Sequence, residues 1–243
     1  MSGARAIDYS IVVPVFNEEG NLPILLGEIV ETMAPLGSSY EVVFVDDGSK
    51  DRSLDVLRKL FEENDAVKVV VFENNAGQSA ALKAGFENAE GRVFITMDAD
   101  LQNDPHDMPL LIHELDRFDV AVGWRHKRQD TFVKRMTSKV GNACRNALTR
   151  ESVADTGCSL KAFKREAALS IPFFNGMHRF MPTVCRMNGY SVTQVKVNHR
   201  PRIHGETKYG VFDRLRATLP DLFAVRWMQK RVTRYSVKEV LKK

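Results

Sequence analysis

Asp98 and Asp100 lie one residue apart where an apolar run, Val93-Phe94-Ile95-Thr96, breaks off into Leu101-Gln102-Asn103-Asp104-Pro105. No strand continues through that sequence, so two carboxylates stand at the carboxyl end of a buried strand. In an open α/β sheet that end borders the ligand crevice, and acids placed there suit a divalent cation or the polar groups of a sugar nucleotide. The Asp-x-Asp opening of a calcium loop is present, but the glycine and closing glutamate that such a loop requires are missing.

Two further polar clusters follow apolar runs in the same way. Pro14-Val15-Phe16-Asn17-Glu18-Glu19 ends the first run and Asp46-Asp47-Gly48-Ser49-Lys50-Asp51 the second. An acid at such a place can accept hydrogen bonds from a base or ribose, and Gly48 permits the tight turn. The plainer alternative is a simple turn at Asp47-Gly48-Ser49, with Asp51 or Ser53 capping the next helix. Asn74-Asn75-Ala76-Gly77-Gln78-Ser79 opens a helix after the third run, so its amides can meet a phosphate or ribose. No GxGxxG and no GxxxxGK[ST] follows any strand, which argues against a dinucleotide fold and a phosphate-cradling NTPase loop.

These clusters need a sheet to align them. Tyr9 to Phe16, Tyr40 to Val45, Val67 to Phe72, Arg92 to Met97 and Asp119 to Gly123 are short runs rich in Val, Ile and Phe, the pattern of strands buried on both faces. Between them, Leu22, Leu25, Leu26, Ile29, Val30 and Met33 keep helical spacing behind an Asn21 cap and stop near Pro35 and Gly37. Leu54, Leu57, Leu60 and Phe61 repeat the pattern after Ser53, and Ala80 to Ala89 and Met108 to Phe118 complete an alternation that implies parallel strands and right-handed crossovers. From Asp130 the alternation fails. A long polar helix is expected to about Leu148, then a Gly/Cys/Ser segment, a short helix and a strand at Ser191 to Val197.

At 243 residues the chain can bury the core of one large α/β domain with an appendage. Cys144, Cys158 and Cys185 are unpaired in spacing, which points to reduced thiols in a cytoplasmic setting rather than a zinc site. The N-terminal residues carry no signal-peptide core, and no window is apolar enough to span a bilayer. The net charge is +4, yet residues 211–243 hold nine Lys/Arg against three acids, so the remainder of the chain is slightly acidic. No helical His pair has metal-ligand spacing, and His178, His199 and His204 receive no catalytic role.

Taken together, Pro14-Val15-Phe16-Asn17-Glu18, Asp46-Asp47-Gly48-Ser49, Asn75-Ala76-Gly77 and Asp98-Ala99-Asp100-Leu101-Gln102 resemble family-2 glycosyltransferases of the GT-A type, in that order and spacing. The second half resembles the polyprenyl-phosphate branch, through Gly123-Trp124-Arg125, Asp155-Thr156-Gly157-Cys158-Ser159-Leu160-Lys161, His178-Arg179-Phe180 and Arg202-Ile203-His204-Gly205-Glu206-Thr207-Lys208-Tyr209. The last carries Thr207 where that branch more often has Ser in its RxxGx[ST]K pattern.

The resemblance implies an α/β fold: a GT-A type, Rossmann-like mixed sheet flanked by helices, with a C-terminal amphipathic helical tail. It divides the chain into a catalytic domain, 1–209, with a nucleotide-sugar half (1–123) and an acceptor half (124–209), and basic membrane-associating helices over 210–243. The implied reaction is inverting transfer of one sugar from a UDP- or GDP-linked donor to undecaprenyl or dolichyl phosphate at the cytoplasmic membrane face. A family-2 enzyme with a soluble glycan or protein acceptor is the alternative, and a non-catalytic nucleotide- or lipid-binding subunit a more distant one. The resemblance assigns Pro14, Val15, Asn17, Glu18, Asp46, Asp47, Asn75, Gln78, Asp98, Ala99 and Gln102 to the nucleotide sugar, and Asp98 and Asp100 to Mg2+ or Mn2+. Arg125, Arg128, Arg135, Arg202 and Lys208 fall to the acceptor phosphate. Asp100, Asp155, Arg125 and Arg202 are the expected catalytic groups, with Asp155 either a base or an orienting partner for an arginine. A phosphate acceptor is largely ionised near neutral pH, with a second pKa of about 6, so cations matter more than a strong base. Each of these cations could instead be a solvated surface charge.

In the tail, Val211, Phe212, Leu215, Leu219, Leu222, Phe223, Trp227 and Met228 form an apolar stripe with Arg214, Arg216, Arg226, Lys230 and Arg231 beside it. Such a helix can lie in the headgroup region of anionic lipid, or pack on the domain or another subunit. Pro220 is expected to kink or divide it. Arg226-Trp227 lacks the glutamine of the processive QxxRW motif, having Phe223 in that place. Partners implied are the donor, the lipid phosphate, a membrane surface or membrane protein and no nucleic acid; a homo-oligomer is left open.

Overall fold

The structure is a computed structural model that describes residues 6–125, 153–201, 211–233 and 238–239, with no side-chain description for 211–218. Within these residues seven strands form one sheet: β1 (Tyr9–Val15), β2 (Tyr40–Asp46), β3 (Val67–Val71), β4 (Val93–Thr96), β5 (Val120–Arg125), β6 (Lys161–Lys164) and β7 (Val192–Val197). Helices α1 (Leu22–Met33), α2 (Ser53–Glu63), α3 (Gln78–Asn88) and α4 (Met108–Glu114) alternate with the first five strands. Helices α5 (Arg165–Leu169), α6 (Met181–Met187) and α7 (Val211–Lys230) follow in the second half.

The order across the sheet is β3-β2-β1-β4-β6-β5-β7. Strands β1 to β4 are mutually parallel, and the order reverses between β1 and β4, which opens a crevice beyond their carboxyl ends. Four of the five expected parallel strands therefore pair directly with one another. The fifth is not their direct neighbour, because β6 runs antiparallel between β4 and β5. Sequence reasoning placed only a Gly/Cys/Ser segment and a short helix there. Four residues, Lys161-Ala162-Phe163-Lys164, are too few to show a period.

β3 corrects a second expectation. As an edge strand it is only partly covered, with Val71 50% exposed, so it is not buried on both faces.

Pro14 shows how this sheet manages a residue with no N–H. Pairing of β1 with β4 covers only Tyr9 to Val12, so Pro14 lies beyond the ladder on that side while still in register with Val45 of β2. Two apolar layers close the sheet. Leu22, Leu25, Ile29, Phe44 and Leu57 lie in one, and Phe86, Phe94, Phe163, Phe180 and Val225 in the other. Gly85 of α3 lies close over Val12, where a Cβ would collide with that side chain.

Two capping expectations change. Asn21 precedes α1 but has helical backbone angles and makes no side-chain cap; its amide donates to Glu18 instead. Ser53 is already inside α2, and Asp51 accepts its backbone N–H at 3.0 Å. Helix α7 runs continuously through Pro220 rather than dividing there. Its apolar residues also split: Leu222 and Val225 enter the core, whereas Leu219, Phe223 and Trp227 are 45%, 65% and 62% exposed. Among the described residues no helix is long and apolar enough to cross a membrane. The long polar helix expected from Asp130 lies outside the described residues.

Candidate functional site

The crevice floor is built by loops that tie to one another before any ligand is considered. Asn17 takes a left-handed backbone conformation (φ 56°), which asparagine tolerates better than most residues. Its N–H donates to Ser49 Oγ at 3.0 Å, and its side-chain oxygen accepts Lys50 N–H at 2.7 Å. Glu18 N–H donates to Ser53 Oγ at 2.8 Å. The loop after β1 is thus laced to the loop after β2. Val15 is buried, and Pro14 and Glu18 are half-buried beside it.

Asp46 ends β2 and accepts the N–H of Ser49 at 3.3 Å. Asp47 does more than turn the chain. Its carboxylate accepts the backbone N–H groups of Ala76 at 2.7 Å and Gly77 at 2.9 Å, and the Asn75 side-chain amide at 2.9 Å. Burial, with Asp46 beside it, raises the Asp47 pKa above its ordinary value although the two backbone donors pull the other way. Gly48 is required by contact as well as by conformation. With φ at 68°, a Cβ would stand 2.7 Å from Asn75 N. Asp47 and Gly48 together clamp the segment that opens α3.

From α3, the Gln78 amide donates to Asp98 Oδ1 at 2.7 Å. Asp98 and Asp100 follow β4, where the expected strand end stands, and Ala99 between them is buried. Burial, then repulsion from Asp100, pushes the Asp98 pKa up to about 6, against the pull of Ser159, Lys161 and Arg125. Asp100 is 7% exposed and accepts Gln102 N–H at 3.1 Å. Leu101 between them is fully buried at φ 59°, a backbone conformation that leucine holds only when its surroundings enforce it.

Segment 155–161, leading into β6, holds the chain on either side of Leu101, at Asp98 and at Asn103. Ser159 Oγ accepts Asp98 N–H at 3.2 Å and donates to Asn103 at 2.6 Å, while Thr96 Oγ1 donates to Ser159 O at 2.7 Å. The same segment holds Asp155, whose carboxylate grips Arg125 at the end of β5 through Nε at 2.7 Å and Nη2 at 2.9 Å. Both side chains are largely buried, at 5% and 14% exposed. A carboxylate held in this bidentate way is placed to orient an arginine. Gly157 permits the approach, since a Cβ there would lie 2.9 Å from Arg125 Nη2. Beneath them Lys161 is buried and donates to the Cys158 carbonyl. Burial lowers its pKa, although Asp98 and Asp155 draw in the opposite direction.

Sequence reasoning named Asp98, Asp100, Asp155 and Arg125 and missed Ser159 and Lys161, which join them. Both lie inside the quoted Asp155-to-Lys161 motif, but only the position of β6 between β4 and β5 reveals what they touch. It also gave no role to His178, whose ring meets Ser79 at the start of α3. Arg128, Arg135, Arg202 and Lys208, expected at the acceptor phosphate, lie outside the described residues.

A divalent cation fits this acid pair on the structure's own terms. Asp98 carries a net cost from burial and from Asp100 that Ser159, Lys161 and Arg125 only partly offset, and a dication would reverse it. Among the described residues no group of three or more His, Cys, Asp or Glu could hold an ion alone. Magnesium-like ions are commonly held by one or two carboxylates completed by substrate phosphates, which is what this pair could offer.

Comparison with known proteins places this geometry. Residues 10–171 match the family model described as Glycosyl transferase family 2. Dodecaprenyl-phosphate galacturonate synthase of Rhizobium johnstonii is 35% identical over 232 residues, covering 93% of this chain and 68% of that protein. Undecaprenyl-phosphate 4-deoxy-4-formamido-L-arabinose transferase of Edwardsiella ictaluri is 35% identical over 214 residues, 87% of this chain and 66% of its own length. The chain thus spans about two thirds of these relatives.

Among solved structures, glucosyl-3-phosphoglycerate synthase of Mycobacterium tuberculosis, in complex with Mn2+, UDP and phosphoglyceric acid, superposes with a TM-score of 0.68 at 19% identity. The match covers 94% of this chain and 80% of that one. A mannosyltransferase of Pyrobaculum calidifontis with GDP-Man and Mn2+ gives 0.65 at 19%, covering 96% and 66%. These two share the fold and its mixed α/β order. The Mn2+ belongs to those two structures; on the family model and the curated relatives, the chain belongs to glycosyl transferase family 2, as a GT-A-type enzyme that moves a sugar from a nucleotide-sugar donor.

Proposed function

We propose that the chain transfers a single sugar, with inversion, from a UDP- or GDP-linked donor to a polyprenyl phosphate at the cytoplasmic face of a membrane. The observation that carries this reading is the 35% identity across 93% of the chain to a synthase named for a dodecaprenyl-phosphate product.

In this reading the loops that end β1 and β2, with Asp46 and Asp47, receive the nucleotide. Gln78 and the segment at 98–102 receive its diphosphate and sugar. A divalent cation on Asp98 and Asp100, when bound, supplies positive charge to the departing diphosphate. The chain's own residues do the rest. Asp155 holds the Arg125 guanidinium in one orientation at the acceptor side of the crevice, so that an anionic headgroup meets a fixed cation. Because the acceptor phosphate is already largely ionised, with a second pKa of about 6, Asp155 is not needed as a strong base. Arg128, Arg135, Arg202 and Lys208 would complete the acceptor site, with Arg202 among the catalytic groups.

Helix α7 supports the membrane part of the proposal. Leu219, Phe223 and Trp227 recur at four-residue spacing and are exposed together, while Leu222 and Val225 anchor the same helix to the core. Arg226, Lys230 and Arg231 put cations beside them, the composition of a helix that settles on anionic lipid.

The test is incubation with undecaprenyl or dolichyl phosphate and a panel of nucleotide sugars, read by lipid mass spectrometry. A mass gain of one sugar on the lipid phosphate is expected, together with flotation on anionic liposomes. An inert lipid phosphate with turnover of a soluble acceptor would transfer the reading to a soluble glycan or protein.

A further inference from the structure

The hydroxyl of Ser79, second residue of α3, is buried at 3% exposure and meets three groups of one turn 97 to 99 residues away. The backbone N–H of Gly176 points to it at 3.2 Å and that of His178 at 3.3 Å, while His178 Nδ1 lies 2.9 Å away. A serine hydroxyl has two lone pairs and one hydrogen. The two backbone groups can only donate, so they take both lone pairs. The hydrogen then goes to Nδ1, which must be the unprotonated ring nitrogen, and Nε2 carries the ring hydrogen. Burial, with Arg179 and Lys161 nearby, pushes the His178 pKa down to about 3, so this neutral form persists across the working range.

The contact lies one residue from Gln78, whose amide holds Asp98 Oδ1 at 2.7 Å. On the other side the turn is backed by α7. Gly176 takes a left-handed backbone at φ 97°, and the Asp221 carboxylate of α7 lies against it. The start of α3 is therefore fixed from two directions: Asp47 holds Ala76 and Gly77, and the 176–178 turn holds Ser79. Gln78 lies between the two.

We propose that Ser79 and His178 are positioning residues of the donor site: their saturated hydrogen-bond knot fixes the first turn of α3 so that Gln78 presents its amide to Asp98 in the geometry that receives the donor's diphosphate. This rests on the donor-site reading above. It is independent of which acceptor the enzyme uses.

The experiment uses the full chain with UDP, GDP, UMP and GMP as probes, in Mn2+, by titration calorimetry. The base whose diphosphate binds the wild type more tightly is then followed in Ser79→Ala, His178→Ala and His178→Asn. Loss of an outer-shell hydrogen bond at such a site commonly costs about 10–100-fold, so Ser79→Ala and His178→Ala are expected to weaken diphosphate binding by that factor. Monophosphate binding, which does not require the diphosphate pocket, should change little. His178→Asn, whose Oδ1 replaces Nδ1 as acceptor, should recover affinity to within a few-fold. Independently, the 15N spectrum of the wild type should show an unprotonated Nδ1 at His178 that is perturbed in Ser79→Ala. Equal loss for mono- and diphosphate, unchanged diphosphate binding, or no difference between His178→Asn and His178→Ala would overturn the positioning role. A protonated Nδ1 would overturn the knot itself. A wild type that bound neither diphosphate while keeping the unprotonated Nδ1 would remove the donor reading, and the positioning role with it.

Discussion

Asp98→Asn should stabilise the metal-free protein while disabling it. Asp98 pays for burial and for the neighbouring Asp100, which together move its pKa from 3.8 to about 6. Keeping it ionised at neutral pH then costs about 3 kcal/mol, from about 1.4 kcal/mol per tenfold change in proton affinity. Asparagine removes the charge yet leaves an oxygen for the Gln78 amide. The sign follows from linkage. A carboxyl with a raised folded pKa favours folding below its unfolded pKa, and that advantage is lost as pH rises through the folded value. The gain from Asp98→Asn should therefore be near zero at about pH 3.5, grow between about pH 4 and 6, and level off above pH 7. A gain of about 2–3 kcal/mol in a chain of this size corresponds to a melting temperature higher by about 5–10 °C. Urea unfolding of both proteins in EDTA at pH 3.5, 5, 6 and 8 measures it, and calorimetry with Mn2+ and UDP or GDP measures the loss of binding. A variant less stable than wild type at pH 8 without metal, or one that still bound the metal–nucleotide pair normally, would refute the electrostatic account of the acid pair.

Gly48→Ala should lose about 1–3 kcal/mol in urea unfolding and weaken nucleotide binding, because its left-handed backbone and the 2.7 Å approach to Asn75 N both exclude a methyl group. Arg125→Lys keeps the charge but loses the two-pronged grip on Asp155. Transfer to the acceptor should fall about 10–100-fold with nucleotide affinity unchanged, as steady-state kinetics and calorimetry together would reveal. Glu41 is held below its ordinary pKa: burial opposes this, but Ser10, the Glu90 N–H and Lys68 outweigh it. The stability it adds is present above about pH 4.5 and fades as acid protonates it, so Glu41→Gln should be less stable at pH 7, with the difference shrinking as pH falls below 4.5, by thermal unfolding.

The first half of the fold was legible in the sequence because its strands are apolar and stop abruptly at polar residues. Val93 to Thr96 followed by Asp98 and Asp100 is the clearest instance. What stayed hidden depends on contacts between distant segments. β6 is four residues long and follows no pattern, yet it decides that Asp155 and Ser159 reach both Arg125 and the acid loop. The tail's apolar stripe was visible, but not that Leu222 and Val225 would turn inward while Phe223 and Trp227 remained outside. Helical spacing groups residues by face and does not say which part of a broad face meets the core.

The antiparallel insertion of β6 also sets an order of assembly. The pairs β1 with β2 and β2 with β3 join neighbouring segments of the chain, whereas β4 is tied across longer stretches, to β1 where Val93 meets Tyr9 and to the segment before β6 where Thr96 meets Ser159 across 63 residues. Closing these longer loops costs more chain entropy and is repaid only when the strands they join are already formed. During refolding, β1, β2 and β3 should therefore pair first, and β4, which leads into Asp98 and Asp100, should join them later. The acid pair gains its Ser159 support only once β6 has closed against β4.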